Sequence, residues 1–329
     1  MNITFMIGNG FDLACGLKSS YSDVYKGYIK TESKSELIAK FKKDLDENWE
    51  NWSDFEMGMA EYAKNFKNEE ELIECVTDFR EYMEWHLQQE EDSFSDNFDK
   101  TMRVFGREIE YYVGDCIENY FKGCEKKLES LKTRADQEGR KLDFISFNYT
   151  GVLRTVLDQC YYNCNLFYIH GTLEDNDVIL GADNEDQVKT PFKLGRKGKR
   201  VFVKPFLNAN SDPDKVDRIK SIIQNSDCVI VFGLSMGESD LTWRNEIKDW
   251  LISKNTHNLF LIDYESSRKA IKNIALRLNE QEDIIVEKLN KIGIGEEYID
   301  QVHIPVGRKM FAISEKIDEI AENELNSVA

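Results

Sequence analysis

A chain of 329 residues, 41% of them hydrophobic, can bury a sizeable core and has room for one large domain with an insertion or for two domains. Its formal net charge of -18 opposes general affinity for nucleic-acid backbone or anionic membrane, because a polyanionic partner meets repulsion over most of the surface. No stretch approaches the ~18 apolar residues of a membrane span, and the apolar run at the start lacks a basic flank, so a cytoplasmic protein is expected.

The first predicted element is a buried parallel strand, Ile3-Thr4-Phe5-Met6-Ile7, which stops at Gly8-Asn9-Gly10-Phe11-Asp12. A turn of this kind lets backbone approach a ligand, and a following helix start would favour a bound phosphate. It departs from the dinucleotide fingerprint, since Leu13 fills the third glycine position and the next glycine is Gly16.

From about residue 20 to 134 the pattern is helical and free of proline. Phe55, Met59, Tyr62, Ala63 and Phe66 form one apolar stripe, and Phe105, Ile109, Tyr112, Val113 and Ile117 another; both read as helix-packing core. Glu56 ends a tryptophan-bracketed acidic stretch and reads as capping or solvating a helix start, with reach into a site as the alternative.

From Leu142 the texture changes to short apolar strands separated by helices. Strands are expected at 142–147, 166–169, 227–233 and 259–264, with helices at 152–160, 241–252, 266–278 and 310–324. The basic segment 193–200 reads as an exposed loop, with a flap over a phosphate-bearing ligand as the alternative. The alternation argues for an α/β fold: a Rossmann-like parallel sheet, covered on both faces, with a large all-helical insertion after the first strand. The divisions are 1–19 for the first strand and glycine loop, 20–135 for the insertion, and 136–329 for the rest of the α/β domain.

Seven cysteines (Cys15, Cys75, Cys116, Cys124, Cys160, Cys164 and Cys228) with no Cys-x-x-Cys pair read as reduced thiols. The four histidines, His86, His170, His257 and His303, offer no His-x-x-x-His pair, and no metal is predicted.

Ligands of open parallel sheets bind where the carboxyl ends of the strands meet their loops. Gly8-Asn9-Gly10, Asn148, His170 and the segment Gly233 to Asp240 each follow a predicted strand, which makes a nucleotide-sized pocket the expectation.

Taken together, Gly8-Asn9-Gly10-Phe11-Asp12-Leu13-Ala14-Cys15-Gly16-Leu17, Ser20-Tyr21-Ser22-Asp23, Phe147-Asn148-Tyr149-Thr150 and His170-Gly171 resemble the bacteriophage abortive-infection AbiH family over nearly the whole chain. The same order of motifs is similar to the sirtuin-like fold, in which such segments surround NAD. That resemblance implies that Asn148 orients a water or the nicotinamide ribose and that His170 is the general base. It further implies that Gly8, Asn9, Gly10, Phe11, Asp12, Thr150, Gly233, Ser235 and Asp240 contact the bound nucleotide. Several sirtuin-like antiphage proteins destroy NAD, so NAD as substrate or ligand is the leading expectation. A phage-derived trigger and self-association into a homo-oligomer are also expected.

The chain departs from the sirtuin pattern at two points. Thr150 stands where an acidic residue is usual, and Asp12 where a small one is common. The zinc-binding cysteine pairs of protein deacetylases are absent, which disfavours deacetylation. Hydrolysis of the nicotinamide–ribose bond passes through an oxocarbenium-like state with a good leaving group, leaving water orientation to Asn148 and proton acceptance to His170. Two other classes stay open: a nucleotide or ADP-ribose sensor without turnover, and a magnesium-dependent nuclease or phosphohydrolase built on Asp12, Glu56, Asp240 and Asp263.

Overall fold

The computed structural model describes residues 1–48, 52, 54–94, 137, 139–158, 164–262 and 286–303. Among these, six parallel strands form one sheet: β1 Asn2–Ile7, β2 Lys141–Ser146, β3 Cys164–Tyr168, β4 Cys228–Phe232, β5 Asn258–Ile262 and β6 Val302–His303, in the order β3-β2-β1-β4-β5-β6. This is the doubly wound order of dinucleotide-binding folds, and it reverses between β1 and β4. The Rossmann-like expectation holds, with the helical insertion following β1.

Strand residues alternate between two cores, which is why the strands read as continuous apolar runs. Ile3, Phe5, Ile7, Phe144 and Ile230 pack on one face with Val152, Val156 and Leu157 of the helix Val152–Asp158. Phe5 stacks on Phe144 at 4.6 Å between ring centroids, their in-register partnership across β1 and β2 bringing the rings face to face. Met6, Ile145, Val229, Val231 and Leu259 pack on the other face with Ile219 and Ile223 of Lys215–Gln224 and with Trp243, Ile247 and Trp250 of Leu241–Ser253. Each large side chain so buried contributes roughly 1.5–3 kcal/mol.

Between β1 and β2, helices run over Tyr21–Tyr28, Glu36–Glu47, Phe55–Tyr62 and 69–94. Three begin at side-chain caps: Ser20, Ser35 and Asp54 accept from the backbone N–H of Asp23, Ile38 and Met57. The stripe at Phe55, Met59, Ala63 and Phe66 is core, and Phe55 stacks on Phe79 at 3.7 Å. The second predicted stripe, 105–117, lies outside the described residues, as do the expected helices at 266–278 and 310–324.

The helical layer does not close on itself. Its core is completed by Leu173, Val178, Leu180, Ala182, Val188, Leu194, Phe202 and Val203, which come from the chain between β3 and β4. The basic segment corrects its expectation: it forms the helix Arg196–Phe202, with Gly195 N–H on Glu69 and Lys199 on Glu185 at 2.5 Å, and it lines no part of the site described below. Glycine-flanked lysines carried no helix signal, so the contact with the distant Glu69 carboxylate decides its form. The helices Lys204–Ser211 and Lys215–Gln224, and β6, had no reading in the sequence.

Candidate functional site

At the carboxyl edge of the sheet lies a cavity of about 580 Å³, within the usual size of small-molecule sites. Asn9, Gly10, Asp12, Asn148, Thr150, His170, Gly233, Ser235 and Asp240 all line it, so residues from the segments after four strands meet at one edge. Gly8 and Phe11 do not. Phe11 is fully buried and packs edge-on against Phe232, a core residue beneath the cavity.

The glycines of the first loop answer to packing. Gly8 N–H donates to Phe232 O and Gly10 N–H to Gly233 O, both at 2.9 Å. A Cβ on Gly10 would lie 2.4 Å from Gly233 Cα, so the β1 and β4 loops touch backbone to backbone at the switch point. Those two donors are therefore engaged within the protein. Asn9 is likewise tied to Ser19, its Nδ2 donating to the carbonyl at 3.0 Å and its Oδ1 accepting from the hydroxyl at 2.6 Å.

The two departures from the sirtuin pattern turn out to be partners. Thr150 Oγ1 donates to Asp12 Oδ2, and Asn148 Nδ2 donates to Asp12 Oδ1, each at 2.7 Å and buried. An acceptor at that place fixes the Asn148 amide with its nitrogen toward Asp12, and Asn148 Oδ1 is left buried without a partner among the described residues. Burial pushes the Asp12 carboxyl up to about 7, against the downward pull of the Thr150 and Asn148 hydrogen bonds. The charge that would repel a phosphate is thereby muted near neutral pH.

This has a consequence for stability. A folded-state value above the unfolded one means that Asp12 favours the folded state most at low pH, and that the advantage is lost as pH rises through 7. Asp12→Asn is therefore expected to gain about 2.5 kcal/mol relative to wild type between pH 5 and pH 8. Urea unfolding of both proteins at the two pH values measures it, and a constant difference would refute it.

His170 follows β3 and is held by Gly171, whose φ of +73° and closeness to Asp177, 2.1 Å from a Cβ to its carbonyl oxygen, admit no side chain. His170 Nε2 lies 3.1 Å from Asp240 Oδ1. Lys204 Nζ reaches Asp240 Oδ1 at 3.0 Å, Glu56 Oε2 at 3.1 Å and the Ser239 carbonyl at 2.6 Å. Glu56 Oε1 accepts from Gly181 N–H at 2.8 Å, and Ser239 Oγ donates to Asp54 Oδ2 at 2.8 Å.

Burial raises Glu56 despite the pull of Lys204. Asp240 bears the same burial penalty, but the Lys204 charge and the His170 hydrogen bond override it and hold this carboxyl below the usual range. Lys204 is raised because its two carboxylates outweigh its burial. Burial and the Lys204 charge together lower His170 to about 4, so its imidazole is neutral at physiological pH. With Asp240 ionised, Nε2 carries the proton and donates to it. Nδ1 is then a lone-pair acceptor, and it too is buried without a partner among the described residues.

Sequence reading missed Lys204, Ser239, Asp54 and the aromatic wall of Tyr21 and Tyr149. Lys204 precedes Pro205 at the start of a helix and carries no local signal. Glu56 does reach the site rather than solvating a helix start, and it is Asp54 that caps the helix. Of the four oxygen ligands a magnesium site would need, Asp12 is engaged by Asn148 and Thr150, Glu56 and Asp240 share an ammonium, and Asp263 lies outside the described residues. Among the described residues, no group of three or more His, Cys, Asp or Glu is placed to hold a metal ion. No described helix is long and apolar enough to cross a membrane.

Comparison with curated proteins and with solved structures gave no match. The family described as Bacteriophage abortive infection AbiH matches residues 4–262. That span holds β1 to β5, the helical layer and the whole Asp12–Asn148–Thr150 and His170–Asp240–Lys204–Glu56 arrangement, and the chain belongs to the bacteriophage abortive-infection AbiH family.

Proposed function

We propose that this protein serves abortive infection by hydrolysing NAD at the nicotinamide–ribose bond. The observation that carries the reading is a pair of buried polar atoms without a partner among the described residues, Asn148 Oδ1 and His170 Nδ1, on two side chains that line the cavity. Buried polar atoms are ordinarily satisfied, so two such acceptors at the carboxyl edge of a Rossmann-like sheet call for a ligand with donors. A water and the hydroxyls of a ribose have that chemistry.

In this reading Asn148 Oδ1 accepts from the attacking water or a ribose hydroxyl. Water oxygen bonds to the ribose C1′, the C1′–N1 bond breaks with its electron pair passing to the cationic ring, and the water proton goes to His170 Nδ1. Nicotinamide and ADP-ribose are the products. The diphosphate lies toward Lys288 and Lys291, which line the cavity and supply positive charge where the glycine-loop donors of Gly8 and Gly10 are engaged.

The test follows nicotinamide and ADP-ribose by chromatography after incubating the purified protein with NAD, and follows NAD in phage-infected cells that carry the protein. Products in vitro, or NAD loss on infection that depends on His170, are expected. Intact NAD in both would overturn the reading. One observation favours a second reading, a nucleotide sensor without turnover: a histidine held near 4 is a weak base. Calorimetric binding of NAD or ADP-ribose with no product formed would select it.

A further inference from the structure

The chain between β1 and β2 is more than a scaffold for its own aromatic core: at the cap and first turn of the helix Phe55–Tyr62, Asp54 reaches the loop that carries Asp240 and Glu56 reaches Lys204, which is bonded to that loop. Lys204, Glu56 and Asp240 have side chains 5%, 7% and 13% exposed, so three ionisable groups are withdrawn from water together. Burying such a set is costly, and packing alone would be served as well by apolar residues of similar volume. The set ends on His170 Nε2, on a cavity-lining imidazole whose other nitrogen is buried without a partner among the described residues.

We propose that Lys204 and Glu56 are positioning residues of this site: Glu56, carried on the helical layer, holds Lys204 against Asp240, and Lys204 in turn holds Asp240 on the Nε2 side of His170. The site is then built from two parts of the fold and is incomplete without the insertion. Asp240 fixes the tautomer, as carboxylates do for histidines that must present one defined nitrogen. Lys204 cancels enough of the Asp240 charge to keep the imidazole neutral. Glu56 and the Ser239 carbonyl keep the ammonium from turning elsewhere, and the Ser239 hydroxyl on Asp54 holds the loop in place. The proposal rests on reading His170 as the acceptor of this site, and its test reads the imidazole itself, so its outcome is separable from whether NAD is cleaved.

Among the described residues, the charged groups acting on His170 are Asp240, Lys204 and Lys215, with Glu56 behind Lys204 and the Tyr149 ring 6.3 Å away. Removing a neighbouring positive charge favours imidazolium, whereas Glu56→Gln replaces a carboxyl that burial already holds toward its neutral form, so the Lys204 end of the network moves the imidazole and the Glu56 end does not raise it. A role in packing alone has one sign: loosening either end lets water in and carries the imidazole toward its ordinary value of about 6.5.

The experiment is an NMR pH titration of the full-length protein with labelled histidine, in which four imidazoles are followed and His170 is assigned by the signal lost in His170→Ala. Lys204→Gln is expected to raise the His170 midpoint by about 1 to 3 pH units. Glu56→Gln is expected not to raise it. Midpoints that rise together in both variants, or a Lys204→Gln midpoint equal to wild type, would overturn the proposal. If Lys204→Gln does not fold, Lys204→Met, an unbranched apolar side chain that removes the charge, replaces it. If neither folds, Glu56→Gln decides alone: a rise toward 6.5 overturns the proposal and the absence of a rise upholds it.

Discussion

On the proposed hydrolysis of NAD, His170→Ala is expected to lower nicotinamide release by about 10²–10⁴-fold, the usual contribution of a positioned general base. The neutral imidazole presents Nδ1 as an acceptor because Asp240 engages Nε2, and alanine leaves the water proton with no acceptor at that place. Asn148→Ala should fall by a comparable factor through lost orientation of the water or ribose. It also removes one of the two donors to buried Asp12, so it should be less stable by about 1–3 kcal/mol, whereas a purely catalytic loss would leave stability alone. Single-turnover assays beside thermal unfolding separate the two effects. Wild-type turnover in either variant would remove that residue from the chemistry. On the acid side, activity should persist well below pH 6, because protonation of His170 sets in only near 4.

Gly10→Ala is expected to destabilise the fold by about 3 kcal/mol or more, at the upper end of what overpacking produces. The added Cβ would sit 2.4 Å from Gly233 Cα and 3.2 Å from Gly233 O. Those atoms are backbone and cannot turn aside, so the β1 and β4 loops must part and break the hydrogen bond from Gly10 N–H to Gly233 O. Since both loops line the cavity, ligand binding should be lost with the stability. Gly237→Ala is the control: its Cβ meets nothing closer than 3.5 Å and its φ is -70°, so it should stay within about 0.5 kcal/mol of wild type. Chemical unfolding of both variants checks the contrast, and equal stabilities would show that the loop contact is not what requires glycine.

The sheet was legible because each buried parallel strand is a short apolar run closed by turn residues, and a strand covered on both faces can hardly look otherwise. The pocket was legible for the same reason, since Asn9, Asn148, His170 and Gly233 each stand just past such a run. Phe11 was misread as a ligand contact because position in a motif does not say which way a ring packs; it points into the core against Phe232. The basic segment was misread as a loop because the Glu69 carboxylate at the start of its helix lies 126 residues away in the chain.

By itself, the order of residues determined the α/β class, the helical insertion after β1, and the strand-end positions that meet at one edge. These depend on local periodicity and on the rule that parallel strands deliver their loops to the same side. The tertiary structure alone decided what each group is chemically. Asp12 and Thr150 are partners across more than a hundred residues, Glu56 and Lys204 meet from different layers, and Asp240 engages one nitrogen of His170 while the other has no partner among the described residues. Hydrogen bonds, desolvation and the charge of a neighbour act over a few ångströms, and distances of that size between residues remote in sequence exist only once the chain is folded.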